Sequence, residues 1–525
     1  MARLVRTIAV SSALALAAAL LAAPAAGGRD RSADPRARVA RAAIVSGADA
    51  VAAQARPTSL GVLSRRSRPP ASGHRAAAVP SPRAPQALLG FDALTDPAAR
   101  PSDTIGALGD TFVVTAVNTQ VAVYDRAGTQ VLAPRQLDTL HPGSTGRFEF
   151  DPKVVYDQYL DTFVLVYLVQ EDSPRLSRIF AVAIPDATAA DPSTWCATSF
   201  KGDLVPGQPV LWADYPGLGY DEDRVTVTTN QFTFPSSQGR FEHAQVLSIA
   251  KSQLYDCAVE VRPRVFAGSS TTDPNGVPAF TLQPAQTVDL PAGSQLLVSV
   301  QLAGRRSYLV VWRIKSTPKG LRLLSGTVPI GRTRFPLPGT QGGGQTPDTL
   351  WDAGDERLIN AFYDADANRL YTAHAVFRDL VPDTITGGYP ETVVRWYELV
   401  PKGVLDGTEV TRKGFVGVPE ADAGWPSVAT DGSGNLFVTY NRASQPRGEF
   451  LSAWVAEIPP GTTAPTQQLL TAGIATYDRD PGIDRWGDFT GINRDPVNPA
   501  VVATFNQYAV NATTWQQVVH FVTHG

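Results

Sequence analysis

Seven short runs rich in Val, Thr, Phe and Tyr recur along this sequence at an average interval of about 65 residues, and they limit the folds open to it. Their alternating or continuous β-branched and aromatic residues are typical of strands. The runs are residues 111–117, 162–168, 224–232, 296–302, 358–364, 436–441 and 501–508. Long helical periodicity is absent, which indicates an all-β fold.

Each run has two companions of strand character. Shorter strands are predicted before the runs, at residues 104–107, 153–156, 216–220, 285–290, 349–352, 426–430 and 489–493. Further strands are predicted after them, at residues 121–125, 179–184, 245–249, 308–314, 370–376, 451–458 and 517–522. A less regular fourth strand often follows. Four antiparallel strands in each of seven units predict a single β-propeller, with residues 87–94 supplying the outer strand of the last blade. A pair of β-sandwiches is the alternative.

The N-terminus has the layout of a secretory signal peptide. Arg3 and Arg6 precede an apolar run at residues 8–23, and small residues follow it, so we assign residues 1–26 to the signal. A retained anchor helix is the alternative, but no later stretch is apolar enough to span a membrane. We therefore expect a secreted, extracellular protein without a stable membrane span.

Residues 27–85 are predicted to be disordered, and residues 86–525 form the predicted propeller. The segment 27–85 holds 11 Arg, 3 Asp, no Lys and no Glu, with few large apolar residues. It is a solvated linker or pro-segment, or a basic tail for anionic wall polymers or lipid headgroups. By difference, residues 86–525 carry a net charge of −13, which argues against nucleic acid as a partner.

Cys196 and Cys257 are the only cysteines of the chain. Export permits a disulfide, and both residues fall in comparable strand-like runs. The sequence favours a disulfide over two buried free thiols.

Three motifs resemble those of a family of secreted bacterial β-propellers that are loosely labelled sialidase-like. They are Trp-Ala-Asp-Tyr-Pro-Gly-Leu-Gly-Tyr-Asp at 212–221, Val-Arg-Trp-Tyr-Glu-Leu at 394–399 and Arg-Trp-Gly-Asp-Phe-Thr-Gly at 485–491. The resemblance covers roughly residues 100–525 and implies a propeller, but no particular activity. The Ser-x-Asp-x-Gly-x-x-Trp boxes and the Arg-Ile-Pro signature of true sialidases are absent from this sequence.

No complete catalytic motif is present. The sequence contains neither Gly-x-Ser-x-Gly nor His-Glu-x-x-His, and its six histidines are scattered, so we expect no zinc site. Carboxylates are more informative, because aspartates begin five of the seven predicted inner strands: Asp103, Asp151, Asp214, Asp348 and Asp488. They either form a ring at one mouth of the channel, holding a cation or polar substrate, or cap local turns.

Two of these aspartates follow a tryptophan at the same spacing. Trp212 with Asp214 and Trp486 with Asp488 combine an aromatic face with a carboxylate, as a sugar-binding site requires. They are the predicted ligand-binding residues. The alternative is that the indoles pack between blades.

Calcium is the predicted cofactor. Asp478, Asp480 and Asp484 concentrate carboxylates beside Gly482, and such oxygen ligands suit Ca²⁺. A plain acidic loop is the alternative. Asp364, Asp366 and Asn368 have a similar alternate spacing but are better explained as a hairpin turn.

Two functions remain open from the sequence. The absence of a complete catalytic set favours a non-catalytic binding module for extracellular glycans or proteins. The alternative is a glycan-active hydrolase or lyase that uses two carboxylates at the channel mouth.

Overall fold

The computed structural model describes residues 83–205, 210–302, 306–343, 349–380 and 391–525. The predicted signal peptide, most of the predicted disordered segment and Asp348 lie outside the described residues.

Within these ranges, the chain folds into one seven-bladed β-propeller, and each blade has four antiparallel strands. From the inner strand to the outer strand, blade 1 contains Ile105–Leu108, Phe112–Val117, Gln120–Asp125 and Gln130–Gln136; blade 2 contains Glu149–Asp157, Thr162–Asp172, Arg175–Pro185 and Cys196–Lys201; blade 3 contains Leu211–Tyr220, Arg224–Thr233, Phe241–Ala250 and Arg264–Ala267. In the same order, blade 4 contains Gln283–Val288, Ser294–Gln301, Ser307–Lys315 and Arg322–Gly331; blade 5 contains Ala361–Asp364, Arg369–Arg378, Glu391–Val400 and Glu409–Val416. Blade 6 contains Asp422–Thr430, Leu436–Ser444, Glu449–Ile458 and Thr466–Thr471; blade 7 contains Gly491–Arg494, Val501–Asn511, Thr514–Thr523 and Gln86–Asp92.

Helices in the described residues are short. One α-helical turn, Lys251–Tyr255, follows the third strand of blade 3. The 3₁₀ turns are Leu137–Thr139, Asp186–Thr188, Pro192–Thr194, Ser236–Gln238, Gly268–Thr271 and Leu405–Gly407. No helix among the described residues is long and apolar enough to cross a membrane.

The ring is closed by a strand from the other end of the chain. Gln86–Asp92 pairs antiparallel with Thr514–Thr523, so the first strand of the described chain is the outer strand of the last blade. The predicted contribution of residues 87–94 is confirmed. Both faces of the second and third strands are buried in most blades because each sheet packs on two neighbours.

Buried side chains connect the blades near the channel. Backbone N–H groups of Asp151, Thr281 and Val428 donate to side-chain oxygens of the preceding blade, at distances of 2.7–2.9 Å. The acceptors are Asn118, Asn230 and Asn360. Such bonds satisfy buried backbone donors and fix the register of one blade against the next.

The strands of blade 5 are offset by one position from the sequence prediction. Residues 349–352 were predicted to be its inner strand, but the inner strand is Ala361–Asp364. Leu350–Trp351 belongs instead to a small separate sheet with Gly339–Thr340 and Ile483–Asp484. An inserted segment between blades 4 and 5 carries this strand, and its apolar character made it resemble part of the repeat.

The predicted disulfide is confirmed. Cys196 and Cys257 are bonded, with their Cα atoms 5.0 Å apart. Cys196 begins the outer strand of blade 2, and Cys257 follows the short helix of blade 3. The bond therefore joins two neighbouring blades.

Candidate functional site at the channel mouth

The pocket inside the central channel is too small to hold a ligand. Its lining includes Ile105, Val154, Leu218, Gln283, Ile359, Ser427 and Ile492, which come from all seven blades. The space left for the centres of water-sized molecules is about 20 Å³, enough for about one water. A ligand larger than a water molecule does not fit in this pocket, so the mouths of the channel are the candidate sites.

Charged side chains gather at the mouth where the inner strands begin. We call them the mouth cluster: Asp103, Asp151, Asp214, Asp352, Asp355, Asp488, Lys153, Arg357 and Arg485. The cluster has six carboxylates against three cations. Most of these residues are buried.

Local backbone geometry places the first two aspartates. Asp103 and Asp151 have positive φ angles of 50° and 53°, a region that aspartate tolerates better than most residues. Tyr215, Thr281 and Trp425 have the same conformation (φ 51°, 52° and 50°) at or just before the inner strands of other blades. The bend interrupts the strand pairing at Asp151, which turns the carboxylate towards the axis.

Three carboxylates converge in this cluster. One oxygen from each of Asp103, Asp151 and Asp488 lies within 4.8 Å of the other two, and no other His, Cys, Asp or Glu trio in the described part of the chain does so. Asp103 Oδ1 accepts a hydrogen bond from Asp488 N at 2.8 Å, and Asp151 Oδ2 accepts one from Tyr215 N at 2.9 Å. Each of these two aspartates thus connects adjacent blades while contributing to the trio.

Burial makes the ionised forms of these carboxyls unfavourable. It raises the pKa of Asp103 well above its ordinary value, and the nearby charges of Asp488 and Asp151 raise it further. Burial, and after it the charge of Asp214, also raise the pKa of Asp151 well above its ordinary value. Asp214 has a pKa raised to about 7 by burial, although Arg357 opposes the shift. Such a group binds either protons or a compensating cation.

Of the three cations of the mouth cluster, Lys153 is the one that forms no ion pair with a described residue. Its ammonium lies 3.4 Å from the centre of the Phe489 ring and 5.7 Å from that of Tyr215. Burial lowers the pKa of Lys153 to about 7, despite the opposing charges of Asp151 and Asp103. The amine therefore compensates the aspartates only partly at neutral pH.

The two arginines are held by carboxylates of the cluster. Arg485 Nη2 donates to both oxygens of Asp488, at 3.0 and 2.9 Å. Arg357 donates to Asp355 through Nε at 2.8 and 2.7 Å. About a fifth of the Arg485 side chain is exposed, so this residue forms part of the accessible rim.

Tyr215 forms the floor of the mouth. Its ring is buried, packs edge-on against Phe489 at 4.9 Å and lies 4.1 Å from the Arg357 guanidinium. Its hydroxyl donates to the backbone oxygen of Asp488 at 3.0 Å. This bond crosses the mouth from blade 3 to blade 7.

The expected sugar-stacking role of Trp212 and Trp486 does not fit their placement. Their exposed fractions are 1% and 0%. Trp212 stacks on Phe232 at 5.2 Å, and Trp486 packs against Tyr477 at 5.1 Å. The indoles pack in the core, as the alternative interpretation held, while Asp214 and Asp488 lie at the mouth.

Asp478, Asp480 and Asp484 do not converge as metal ligands. Asp484 Oδ1 accepts hydrogen bonds from the backbone of Arg479 and Asp480, at 2.6 and 2.8 Å. Asp480 forms an ion pair with Arg100 at 2.5 Å. In this geometry Asp484 holds a turn together and Asp480 pairs with an arginine, and calcium binding by this loop stays a prediction.

The second alternate-oxygen motif is a hairpin turn, as expected. Asp364 Oδ1 accepts a hydrogen bond from Ala367 N at 2.9 Å, and Asp364 also pairs with Arg494.

Sequence reasoning missed Lys153, Asp352, Asp355, Arg357 and Arg485. Asp352, Asp355 and Arg357 lie in the inserted segment before blade 5, where the strand assignment was offset. Lys153 follows Asp151 by two residues, and a basic residue so close to a predicted channel-mouth aspartate was the available signal.

Comparisons with known proteins give similarities of fold only. No family model matches the chain, and no curated protein matches it significantly. Among solved structures, a protein of unknown function from Dyadobacter fermentans shares 11% identity over 71% of this chain and 94% of its own, with a TM-score of 0.40. An α-L-arabinofuranosidase of Fusarium graminearum shares 8% over 84% and 98%, with a TM-score of 0.38. A Trypanosoma rangeli sialidase shares 10% over 77% and 57%, with a TM-score of 0.33. At these identities and TM-scores, the activities of the matched proteins do not transfer to this chain.

Proposed function

We propose that this protein is an exported, non-catalytic binding propeller whose mouth cluster recognises an extracellular glycan. The observation that carries the proposal is the convergence of Asp103, Asp151 and Asp488 at the end of the channel. At the rim, Arg485 supplies donors on a side chain that is 21% exposed, and Asp352 supplies an acceptor on a side chain that is 11% exposed; sugar hydroxyls bind well to such groups.

A divalent cation, Ca²⁺, is proposed to occupy the trio. Hard carboxylate oxygens suit calcium, and a cation relieves the repulsion that raises the pKa values of Asp103 and Asp151. The ion would be held by blades 1, 2 and 7. It would therefore stabilise the ring as well as fix the charge of the mouth.

The calcium proposal is tested by thermal melts at pH 7 with Ca²⁺ or with chelator. The wild-type protein is expected to melt a few degrees higher in Ca²⁺, because a ligand at 100 times its Kd adds about 2.7 kcal/mol. Asp151→Asn keeps the acceptor for Tyr215 N and removes one repelling charge. It should be at least as stable as the wild type in chelator and should not respond to Ca²⁺.

Asp478→Asn is the matched control, because it removes a carboxylate of the acidic loop predicted from sequence. It should respond to Ca²⁺ as the wild type does. If Asp478→Asn loses the response and Asp151→Asn keeps it, the trio is not the calcium site.

Glycan recognition is tested by calorimetry against neutral and acidic oligosaccharides. A sugar that binds the wild type should bind Asp352→Asn at least tenfold more weakly, since this residue lies at the rim. Absence of binding to every sugar would reject the glycan proposal and direct the search to a protein partner.

A glycan-active hydrolase is the second candidate, and the pKa of Asp214 is the observation that favours it. A carboxyl with a pKa near 7 is protonated often enough at neutral pH to act as a general acid beside an ionised partner. Against this, Asp214 is only 2% exposed. Release of aryl leaving groups from aryl glycosides, lost in Asp214→Asn, would replace the binding proposal with this one.

A further inference from the structure

A second polar cavity lies away from the channel, on blade 5. It has a volume of about 300 Å³ and lies between the second to fourth strands of the blade and the segment that leaves blade 4. We call it the arginine cavity and define it by Arg332, Arg334, Arg378, Arg395, Phe377 and Phe415. Its size is that of a small-molecule site.

The cavity has an uncompensated positive charge. Four arginines line it, against the single carboxylate of Asp379. In the described part of the chain, no carboxylate forms an ion pair with any of the four guanidinium groups. Glu391, which pairs across the strands with Arg378, instead accepts hydrogen bonds from the backbone N–H groups of Leu380 and Glu420.

Arg395 is the buried member of the set, with 7% of its surface exposed. Its Nη1 and Nη2 donate to the backbone oxygens of Arg332 and Ile330, at 3.2 and 2.5 Å. Its Nε is buried and has no hydrogen-bond partner, and the same is true of the Thr333 hydroxyl in the cavity wall. A buried charge with an unsatisfied donor is costly unless an anion completes its shell.

Aromatic rings support the more exposed arginines. The Arg378 guanidinium lies 3.8 Å from the centre of the Phe415 ring, and that of Arg334 lies 5.2 Å from the Phe377 ring. Stacking on a ring restricts the orientation of a guanidinium, which lowers the entropy lost when it binds a ligand.

We propose that the arginine cavity binds a small molecule that carries a phosphate or sulfate group. An excess of three positive charges attracts an anion, and a tetrahedral phosphate or sulfate group offers three free oxygens to the guanidinium forks, whereas a carboxylate offers two. The volume leaves room for a sugar-sized body attached to the oxyanion. The proposal is independent of the function proposed for the mouth cluster.

The test is calorimetric titration of the full chain with inorganic phosphate, sulfate and acetate, at an ionic strength held constant with NaCl. Phosphate and sulfate should bind, and acetate should bind at least tenfold more weakly. The double variant Arg334→Gln/Arg378→Gln should weaken phosphate and sulfate binding at least tenfold. Both positions are exposed, so this variant should fold normally.

Arg322→Gln is the matched control, because Arg322 is an exposed arginine of blade 4 outside the cavity. It should leave binding unchanged, and so should Asp151→Asn at the mouth. The proposal is overturned if phosphate and sulfate do not bind above the NaCl background, if acetate binds equally well, or if Arg322→Gln weakens binding as much as the double variant.

Discussion

At the scale of single residues, two aspartates at the blade starts each have two roles. Asp103 and Asp151 each use one oxygen to accept a backbone N–H of an adjacent blade, and they still contribute an oxygen to the trio. A turn-capping role and a ring at the mouth were predicted as alternatives. In the structure, each aspartate makes a hydrogen bond between two blades and also brings its carboxylate close to those of the other two aspartates.

Asp214 should make the stability of the protein depend on pH. Its folded-state pKa of about 7 lies above the unfolded value of 3.8, so its contribution is fully present only below pH 3.8 and is lost as the pH rises from there through 7. Asp214→Asn cannot ionise. In chelator, its melting temperature relative to the wild type should therefore increase by a few degrees between pH 4.5 and 7.5.

The comparison with wild type is needed because other groups also titrate in this interval. Buried His374 and His520 have pKa values lowered to about 4, so they add stability as the pH rises from 4 to 6.5. They do so equally in both proteins. Calorimetric melts at half-unit pH steps would contradict the assignment if the difference between variant and wild type stayed constant.

The residues of the site could be predicted only where the repeat pattern was correct. Asp103, Asp151, Asp214 and Asp488 were found because an aspartate begins each of these inner strands. Their shared site depends on closing the ring, which brings blade 7 beside blade 1. The burial of Trp212 and Trp486 could not be read from spacing, because an indole beside a carboxylate suits packing and sugar binding equally.

At the scale of elements, six of the seven blades follow the strand pattern of the sequence, and blade 5 shows where such a pattern fails. Residues 349–352 have the apolar character of an inner strand, but Leu350–Trp351 pairs with Ile483–Asp484 outside the blades. Local character identifies a strand, whereas the partner of that strand depends on contacts made across 133 residues of chain, from Leu350 to Ile483. The insertion also brings Asp352, Asp355 and Arg357 to the mouth.

The disulfide is the covalent connection between two elements of neighbouring blades, and its removal should destabilise the protein. Cys196 and Cys257 are separated by 61 residues. A cross-link that closes a loop of that length stabilises the folded state by roughly 4 kcal/mol, because it lowers the conformational entropy of the unfolded chain. The Cys196→Ala/Cys257→Ala variant should melt several degrees lower. The wild type under reducing conditions should approach the variant, and the variant should not respond to reductant. Equal melting temperatures for wild type and variant would show that packing alone holds the two blades together.

At the scale of the whole molecule, the propeller is a closed ring only because one strand comes from the far end of the chain. Gln86–Asp92 covers the edge of Thr514–Thr523, and Leu89 and Phe91 pack against a core shared by blades 1 and 7. The Asp103, Asp151 and Asp488 trio crosses the same region, from blade 7 through blade 1 to blade 2. Closure of the ring and assembly of the mouth cluster are therefore expected to be coupled.

Removal of residues 1–92 should open this closure, whereas removal of residues 1–82 should not. The longer truncation leaves a strand edge unpaired and exposes apolar side chains, each worth about 1.5–3 kcal/mol when fully buried. It should lower the melting temperature by several degrees and also reduce the response to Ca²⁺, because blades 1 and 7 hold two of the three carboxylates. Gly90→Val tests the same contact within the full chain, since an added Cβ would lie 2.6 Å from the His520 ring. Melts of these three proteins in Ca²⁺ and in chelator separate the two effects. A longer truncation that loses stability but keeps the full calcium shift would mean that the mouth assembles without ring closure.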